Sequence, residues 1–212
     1  MEFVHPSTLL VAGPTQCGKT FFIKRVLDEK LFSPWPTRVI WAYGEWQDTY
    51  EKIRAKTPNI EFVHGLDKNL YDSIKPEQDN LLVIDDLMKE AGASEILAHL
   101  FTRGSHHRNL SVIYIVQKLY DKGKSHRSCS LNSHYIVLFK NPRDNSQADV
   151  LGRQMFPSKK NFVSSALEDV SKEERGYLVF DLRPETSDDF RVRSKIFRNE
   201  PHVVYKPLTR TI

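Results

Sequence analysis

The sequence predicts an α/β protein: a mostly parallel sheet with helices on both faces and an antiparallel strand extension near the C-terminus. Three observations lead there. Short β-branched runs alternate with stretches of helical periodicity. Runs such as Leu81–Ile84 are apolar at successive positions, as strands covered on both faces are. The segment "LLVAGPTQCGKTFFIKRVL", Leu9–Leu27, joins a strand to a helix through a glycine-bearing loop.

In chain order, Ser7–Gly13 reads as a buried strand and Thr20–Lys30 as the helix after the loop. "SPWPT" is a proline-punctuated connection. "RVIWAYG" and "IEFVHG" are strands flanking a helix over Asp48–Ala55, and "NLLVIDDL" is a fourth strand. Ala93–Arg103 has helical spacing at Ile96, Leu97, Leu100 and Phe101. "LSVIYIVQ" and "HYIVLFK" follow as strands and Ser146–Met155 as a helix, and "GYLVFDLRP" and "RVRSKIF" make the antiparallel extension. Residues 1–200 are expected to form one domain and 201–212 a loosely held tail.

The chain has 212 residues, which suits one domain with a sizeable core. Its 40% hydrophobic and 27% charged content is ordinary for a globular protein. The net charge of +4 admits a nucleic-acid partner without demanding one. Cys17 and Cys129 lack metal-ligand spacing, which argues against a structural zinc site and fits a reducing compartment. Apolar runs such as Tyr135–Phe139 are too short to span a bilayer, and no secretory leader is read at the N-terminus. The expectation is a soluble intracellular protein with no membrane partner.

Gly13–Thr20, "GPTQCGKT", fits G-x-x-x-x-G-K-T without a mismatch. In such a loop, backbone N–H groups point inward at the β-phosphate, and glycine stands where a side chain would collide. The nucleotide is thus expected against Gly13, Pro14, Thr15, Gln16, Cys17, Gly18, Lys19, Thr20 and Phe21. Lys19 carries charge to the β- and γ-phosphates, the Thr20 hydroxyl ligates magnesium, and the following helix turns its positive end to the anion. Cys17 is read as a small residue whose backbone meets phosphate, in preference to a reactive thiol at a helix N-terminus.

"LLVIDDL" sets Asp85 and Asp86 at the end of an apolar strand, and ligands of parallel sheets gather at strand carboxyl ends. Asp85 would hold magnesium through water, opposite Thr20, and that cation would compensate two carboxylates near a core. Asp86 would face the γ-phosphate and polarise the attacking water; its plainer role is to cap the next segment. Gln117 ends an apolar strand that has no packing need for it. Were that strand to lie between the other two, Gln117 would stand beside the γ-phosphate, where it could sense the phosphate and orient water; its plainer role is an ordinary loop residue.

The basic residues fall in two groups. Arg103, His106, His107 and Arg108 form a turn before the Gln117 strand, at the sheet end away from the nucleotide. Such a group serves either as a solvated turn or, in a ring, as an arginine finger for a neighbour's nucleotide. Adjacent histidines point apart, so a metal site is rejected. Lys118, Lys122, Lys124 and Arg127 lie with Tyr120 and His126 in a glycine-containing loop. They suit sequence-independent contact with a nucleic-acid backbone, or a solvated loop. Lys140, Arg143 and "PSKKNF" add smaller basic patches.

Taken in order, "GPTQCGKT", "LLVIDD", "RGSHHRNLSVIYIVQ" and "LNSHYIVLFKNPRD" resemble the genome-packaging ATPases of the FtsK–HerA superfamily. The likeness is to the poxvirus-type branch, found also in other large DNA viruses, adintoviruses and Polinton (Maverick) elements. It spans about Thr8–Asp144, and the late strands more loosely. The resemblance implies an additional-strand P-loop NTPase fold, with the Gln117 strand between the glycine-loop and "DD" strands. It implies hydrolysis of ATP with Mg2+ to drive double-stranded DNA into a capsid, at the site of virion assembly in nucleus or cytoplasm, or in association with the virion. It also implies a ring of identical subunits with Arg103 or, by preference, Arg108 as the finger, and a capsid or portal protein as a further partner.

Two other classes share the glycine loop. A nucleotide or small-molecule kinase needs an arginine-rich lid, and none is clear in the sequence. A slow nucleotide-dependent switch is the third reading. "NPRD" is not a guanine-recognition motif of N/TKxD type, so ATP is favoured over GTP.

Overall fold

The structure, a computed structural model, describes residues 1–57, 59–87, 95–120 and 124–207, with the backbone alone described at 95, 106, 124 and 125. The elements are β1 (Phe3–Val4), β2 (Thr8–Ala12), α1 (Lys19–Asp28), β3 (Phe32–Ser33), β4 (Arg38–Tyr43), α2 (Asp48–Lys56), β5 (Ile60–His64), α3 (Lys68–Ser73) and β6 (Asn80–Asp85). Next, α4 (Glu95–His99) runs through a π-helical turn (Leu100–Gly104) into a last turn, Ser105–His107. Then come β7 (Leu110–Val116), α5 (Lys124–Leu131), β8 (Tyr135–Phe139), α6 (Ser146–Met155), α7 (Phe162–Val170), β9 (Tyr177–Asp181), β10 (Val192–Ser194) and β11 (Val203–Tyr205).

Nine strands form one sheet in the order β11-β10-β9-β8-β2-β7-β6-β4-β5. From β8 to β5 the pairing is parallel, and β9, β10 and β11 extend it antiparallel. The predicted fold class is therefore the observed one. β7 lies between β2 and β6, the condition on which the reading of Gln117 rested.

Every residue of β2, β6, β7 and β8 is buried, which is why their sequences run apolar without alternation. Leu9 and Val11 of β2 face a core with Phe22, Ile23 and Val26 of α1 and Tyr50 and Ile53 of α2. Leu10 and Ala12 face the opposite core, with Leu97 and Phe101, Leu151 of α6 and Val163 and Leu167 of α7. Each fully buried Val, Leu, Ile or Phe among them contributes about 1.5–3 kcal/mol. β1 pairs with β3 in a separate two-stranded sheet beside the α1 face.

Several expectations are corrected. The basic turn at Arg103–His107 is helical: the periodicity that predicts α4 continues past Arg103, through the π turn, to His107. Lys124–Leu131 is helix α5 rather than loop; its buried face is His126 and Cys129, which carry no apolar stripe. In the expected tail, Val203–Tyr205 pairs with β10 and closes the sheet's edge. Residues 208–212 lie outside the described part.

Candidate active site

The parallel register sets Ala12 against Val116 and Ile84 against Tyr114. The carboxyl ends of β2, β7 and β6 therefore stand side by side. The glycine loop, Gln117, and Asp85 with Asp86 follow those three ends, so the structure gathers these predicted residues at one edge of the sheet. Gly13 N–H donates to Val116 O at 3.2 Å, which ties the loop's entry to the strand carrying Gln117.

Helix α1 begins at Lys19, one residue before the predicted start, because Gly18 serves as its N-cap. Gly18 has φ of 113°, a left-handed conformation that glycine adopts without cost. It offers no side chain to the helix's first amides, and the first turn holds no acidic residue. Those N–H groups and the positive end of the helix dipole are left for an anion. Lys19 Nζ donates to Gly13 O and Pro14 O, both at 2.7 Å, and so braces the loop. Burial pulls the Lys19 pKa down, and Cys17, Asp85 and Asp86 oppose that shift. Both carboxylates therefore lie within electrostatic reach of the ammonium. Burial pushes the Cys17 thiol up, which agrees with a packing residue rather than a reactive one.

Asp85 closes β6 and is 5% exposed. Burial raises its carboxyl to about 6, with a hydrogen bond from Tyr50 and the charge of Lys19 working the other way. Tyr50 Oη donates to Asp85 Oδ2 at 3.0 Å. Asp86 is exposed and takes φ of 57°, a left-handed state that aspartate tolerates better than most residues. Gly44 makes that turn possible: a Cβ there would stand 2.5 Å from Asp86 O.

The donor set fits magnesium rather than a softer ion. Thr20 offers a hydroxyl and Asp85 a carboxylate, both hard oxygen ligands, and a buried anion beside the loop calls for a cation. Among the described residues no cluster of three or more His, Cys, Asp or Glu could hold a metal by itself. Magnesium at phosphate sites needs no such cage, since phosphates and water complete its shell.

The stretch after Gln117 is held in a way the sequence does not reveal. Leu119 N–H donates to Gln147 Oε1 at 2.6 Å, and its carbonyl meets His126 Nε2 at 3.0 Å. Gln147 Nε2 in turn donates to Asp144 Oδ2 at 3.1 Å, in the turn that opens α6. Beside the glycine loop, a cavity of about 340 Å³ is walled by Gly18, Phe21, Arg175, Tyr177, Lys195 and Phe197 among others. The Arg175 guanidinium sits 4.4 Å from the centre of the half-exposed Phe21 ring.

Arg103 and Arg108 lie before β7, at the sheet end opposite the glycine loop, as read from the sequence. Arg103 is exposed on the π turn. Arg108 differs: its guanidinium donates to Tyr71 O at 3.0 Å and Ile74 O at 2.7 Å and stacks on the Tyr71 ring at 4.0 Å. It ties the end of α3 to the start of β7, so the preference for Arg108 as a finger passes to Arg103. Arg108→Ala should lower unfolding free energy by about 1.5–3 kcal/mol, read by urea denaturation, because two backbone carbonyls lose a charged partner. Arg103→Ala should leave stability within about 0.5 kcal/mol.

Of the nucleic-acid candidates, Lys118 is exposed next to Gln117, and Arg127 is exposed on α5. Lys122 lies outside the described residues, and Lys124 is described only as the first residue of α5. Helix α5 packs against α4 and its π turn, so Arg127 and Arg103 sit on neighbouring helices.

A glycine loop on β2, an acidic end on β6 and a strand inserted between them define the P-loop NTPase fold of the additional-strand class. The chain is similar in structure to the genome-packaging NTPase B204 of Sulfolobus turreted icosahedral virus 2, solved with ATP-gammaS, at TM-score 0.54 and 16% identity over 96% of this chain and 99% of that one. B204 from Sulfolobus turreted icosahedral virus, a DNA-packaging ATPase, gives TM-score 0.56 at 13% identity over 97% and 99%. A KaiC-like protein of Pyrococcus horikoshii gives TM-score 0.50 at 16% identity over 96% and 92%. At such identities these likenesses speak for the fold. No family model matches the chain. No curated protein matches it either. Among the described residues no helix is long and apolar enough to cross a membrane.

Proposed function

We propose that the chain is an ATP-hydrolysing motor that moves double-stranded DNA, a genome-packaging ATPase of the FtsK–HerA superfamily and its poxvirus-type branch. The observation that carries this is the strand order, which sets Gln117 between the glycine loop and the Asp85–Asp86 pair. The near full-length likeness to a packaging NTPase supports it.

In this reading the loop amides and Lys19 bind the phosphates of ATP, and Lys19 leaves Gly13 O and Pro14 O to do so. The nucleoside takes the cavity beside Gly18, with Phe21 as its apolar wall. Thr20 and Asp85 hold magnesium, which when bound neutralises charge on the transferring phosphoryl. Asp86 and Gln117 orient the attacking water. The chain acts as a ring in which Arg103 of one subunit serves its neighbour's nucleotide. Lys118, Lys122, Lys124 and Arg127 contact the DNA backbone without reading sequence.

The test is the ATPase rate with and without long duplex DNA. Stimulation by DNA, steeply reduced by added salt, is the expected result. No stimulation, with phosphoryl transfer to a small acceptor instead, would sink the motor reading in favour of a kinase. For the ring, Arg103→Ala protein mixed with Lys19→Ala protein should recover part of the lost hydrolysis. Failure of every mixing ratio would count against a shared site.

A further inference from the structure

We propose that Tyr50 is a positioning residue for the carboxylate of Asp85, an assignment that rests on reading Asp85 as a magnesium ligand. The Tyr50 side chain is wholly buried, and its hydroxyl donates to Asp85 Oδ2 at 3.0 Å. The ring has no room to swing. Trp41 and Trp46 stand 5.3 and 5.4 Å from it, centre to centre, Tyr43 5.8 Å, and Phe62 stacks on it at 5.5 Å. The backbone under Asp85 is fixed as well, since Tyr43 of β4 pairs with it in register.

What remains free at the end of β6 is the rotation of a short carboxylate. The phenol limits that freedom by holding Oδ2 and, with the Asp86 backbone N–H that also bonds the carboxylate, sets how the group meets a cation. A bond from a hydroxyl to a carboxylate is charge-assisted and directional. A ring held on several sides delivers it at a constant place, as ligand-orienting groups outside a metal's own shell do. Packing alone would be served by phenylalanine, and a buried hydroxyl is costly unless it is bonded.

Tyr50→Phe keeps the ring and removes only the hydroxyl. Binding of Mn2+ in the presence of ADP, followed by electron paramagnetic resonance, should weaken roughly tenfold. The Mg2+ concentration giving half-maximal hydrolysis should rise by a similar factor. Affinity for ADP in EDTA should stay as in wild type, and so should the melting temperature within a few degrees. Ile53→Val, which loosens the same core from α2 without altering the rings around Tyr50, should leave Mn2+ binding unchanged. Unaltered Mn2+ affinity in Tyr50→Phe, or an equal loss in Ile53→Val, would overturn Tyr50's role while the metal site stands. Asp85→Asn protein that binds Mn2+ as wild type does would overturn both.

Discussion

Replacing Lys19 by alanine is expected to slow ATP hydrolysis by about 10²–10³-fold, the loss that follows removal of one preorganised charge from a transition state. The fold should survive the change. Among the described residues Lys19 Nζ bonds loop carbonyls alone, Gly13 O and Pro14 O, and its stem is half-buried at the start of α1. Burial already disfavours its charge, so alanine relieves a cost in the nucleotide-free protein while removing the group that meets the phosphates. Phosphate release measured beside a thermal melt separates the two effects. Hydrolysis near the wild-type rate in a folded Lys19→Ala protein would rule out the site described here. Lys19→Arg should fare little better, because a planar guanidinium cannot replace a compact ammonium on a short reach.

Asp85→Asn should make the magnesium-free protein more stable while abolishing metal-dependent hydrolysis. Burial raises the Asp85 carboxyl from 3.8 to about 6. The folded state therefore holds its proton more tightly than the unfolded chain does. Stability linked to this group is full below pH 4 and is lost as the pH climbs through 6. At about 1.4 kcal/mol per pH unit, the loss at neutral pH comes to about 3 kcal/mol. Asparagine keeps an oxygen to accept from Tyr50 and never ionises. Urea unfolding in EDTA should thus favour Asp85→Asn above pH 6 and show little difference below pH 4. Added Mg2+ and nucleotide should restore the wild type and not the variant. Equal stabilities across that range would mean that burial does not penalise the Asp85 carboxylate.

The parts of the fold that could be read from the chain were those in which one residue type dominates an element. β2, β6, β7 and β8 are buried along their whole length, so their apolar runs had one interpretation. Ser146–Met155 was likewise bounded correctly, since its buried residues recur at helical spacing. The gathering of Lys19, Asp85 and Gln117 was legible because parallel strands present their carboxyl ends together. Other features were hidden for identifiable reasons. Helix α7 buries Val163, Ala166, Leu167 and Val170, a regular stripe, but the lysines just before it, Lys159 and Lys160, mask its start as a polar, basic segment. Helix α5 has no stripe to find. The sequence favours Arg108 as the finger because it lies nearer the strand, and its engagement with the carbonyls of Tyr71 and Ile74, remote in sequence, leaves no side-chain signature. Tyr50 reads as an ordinary core aromatic, and only the endpoint of its hydroxyl says otherwise.

The clamp on Leu119 bears on how a change at the γ-phosphate could travel. Val116 is fixed in β7, and Leu119 is held at its amide by Gln147 and at its carbonyl by His126. Gln117 and Lys118 span the gap between these anchors, where the chain reaches at most about 10 Å. A short span pinned at both ends can twist but cannot slide. In the proposed motor, a backbone twist that brings Gln117 toward a phosphate would turn Lys118 with it, so the two residues would move as opposite handles of one crank. Nucleotide chemistry at the carboxyl ends of the strands and a cation displayed to solvent would then be geared together across a single peptide unit.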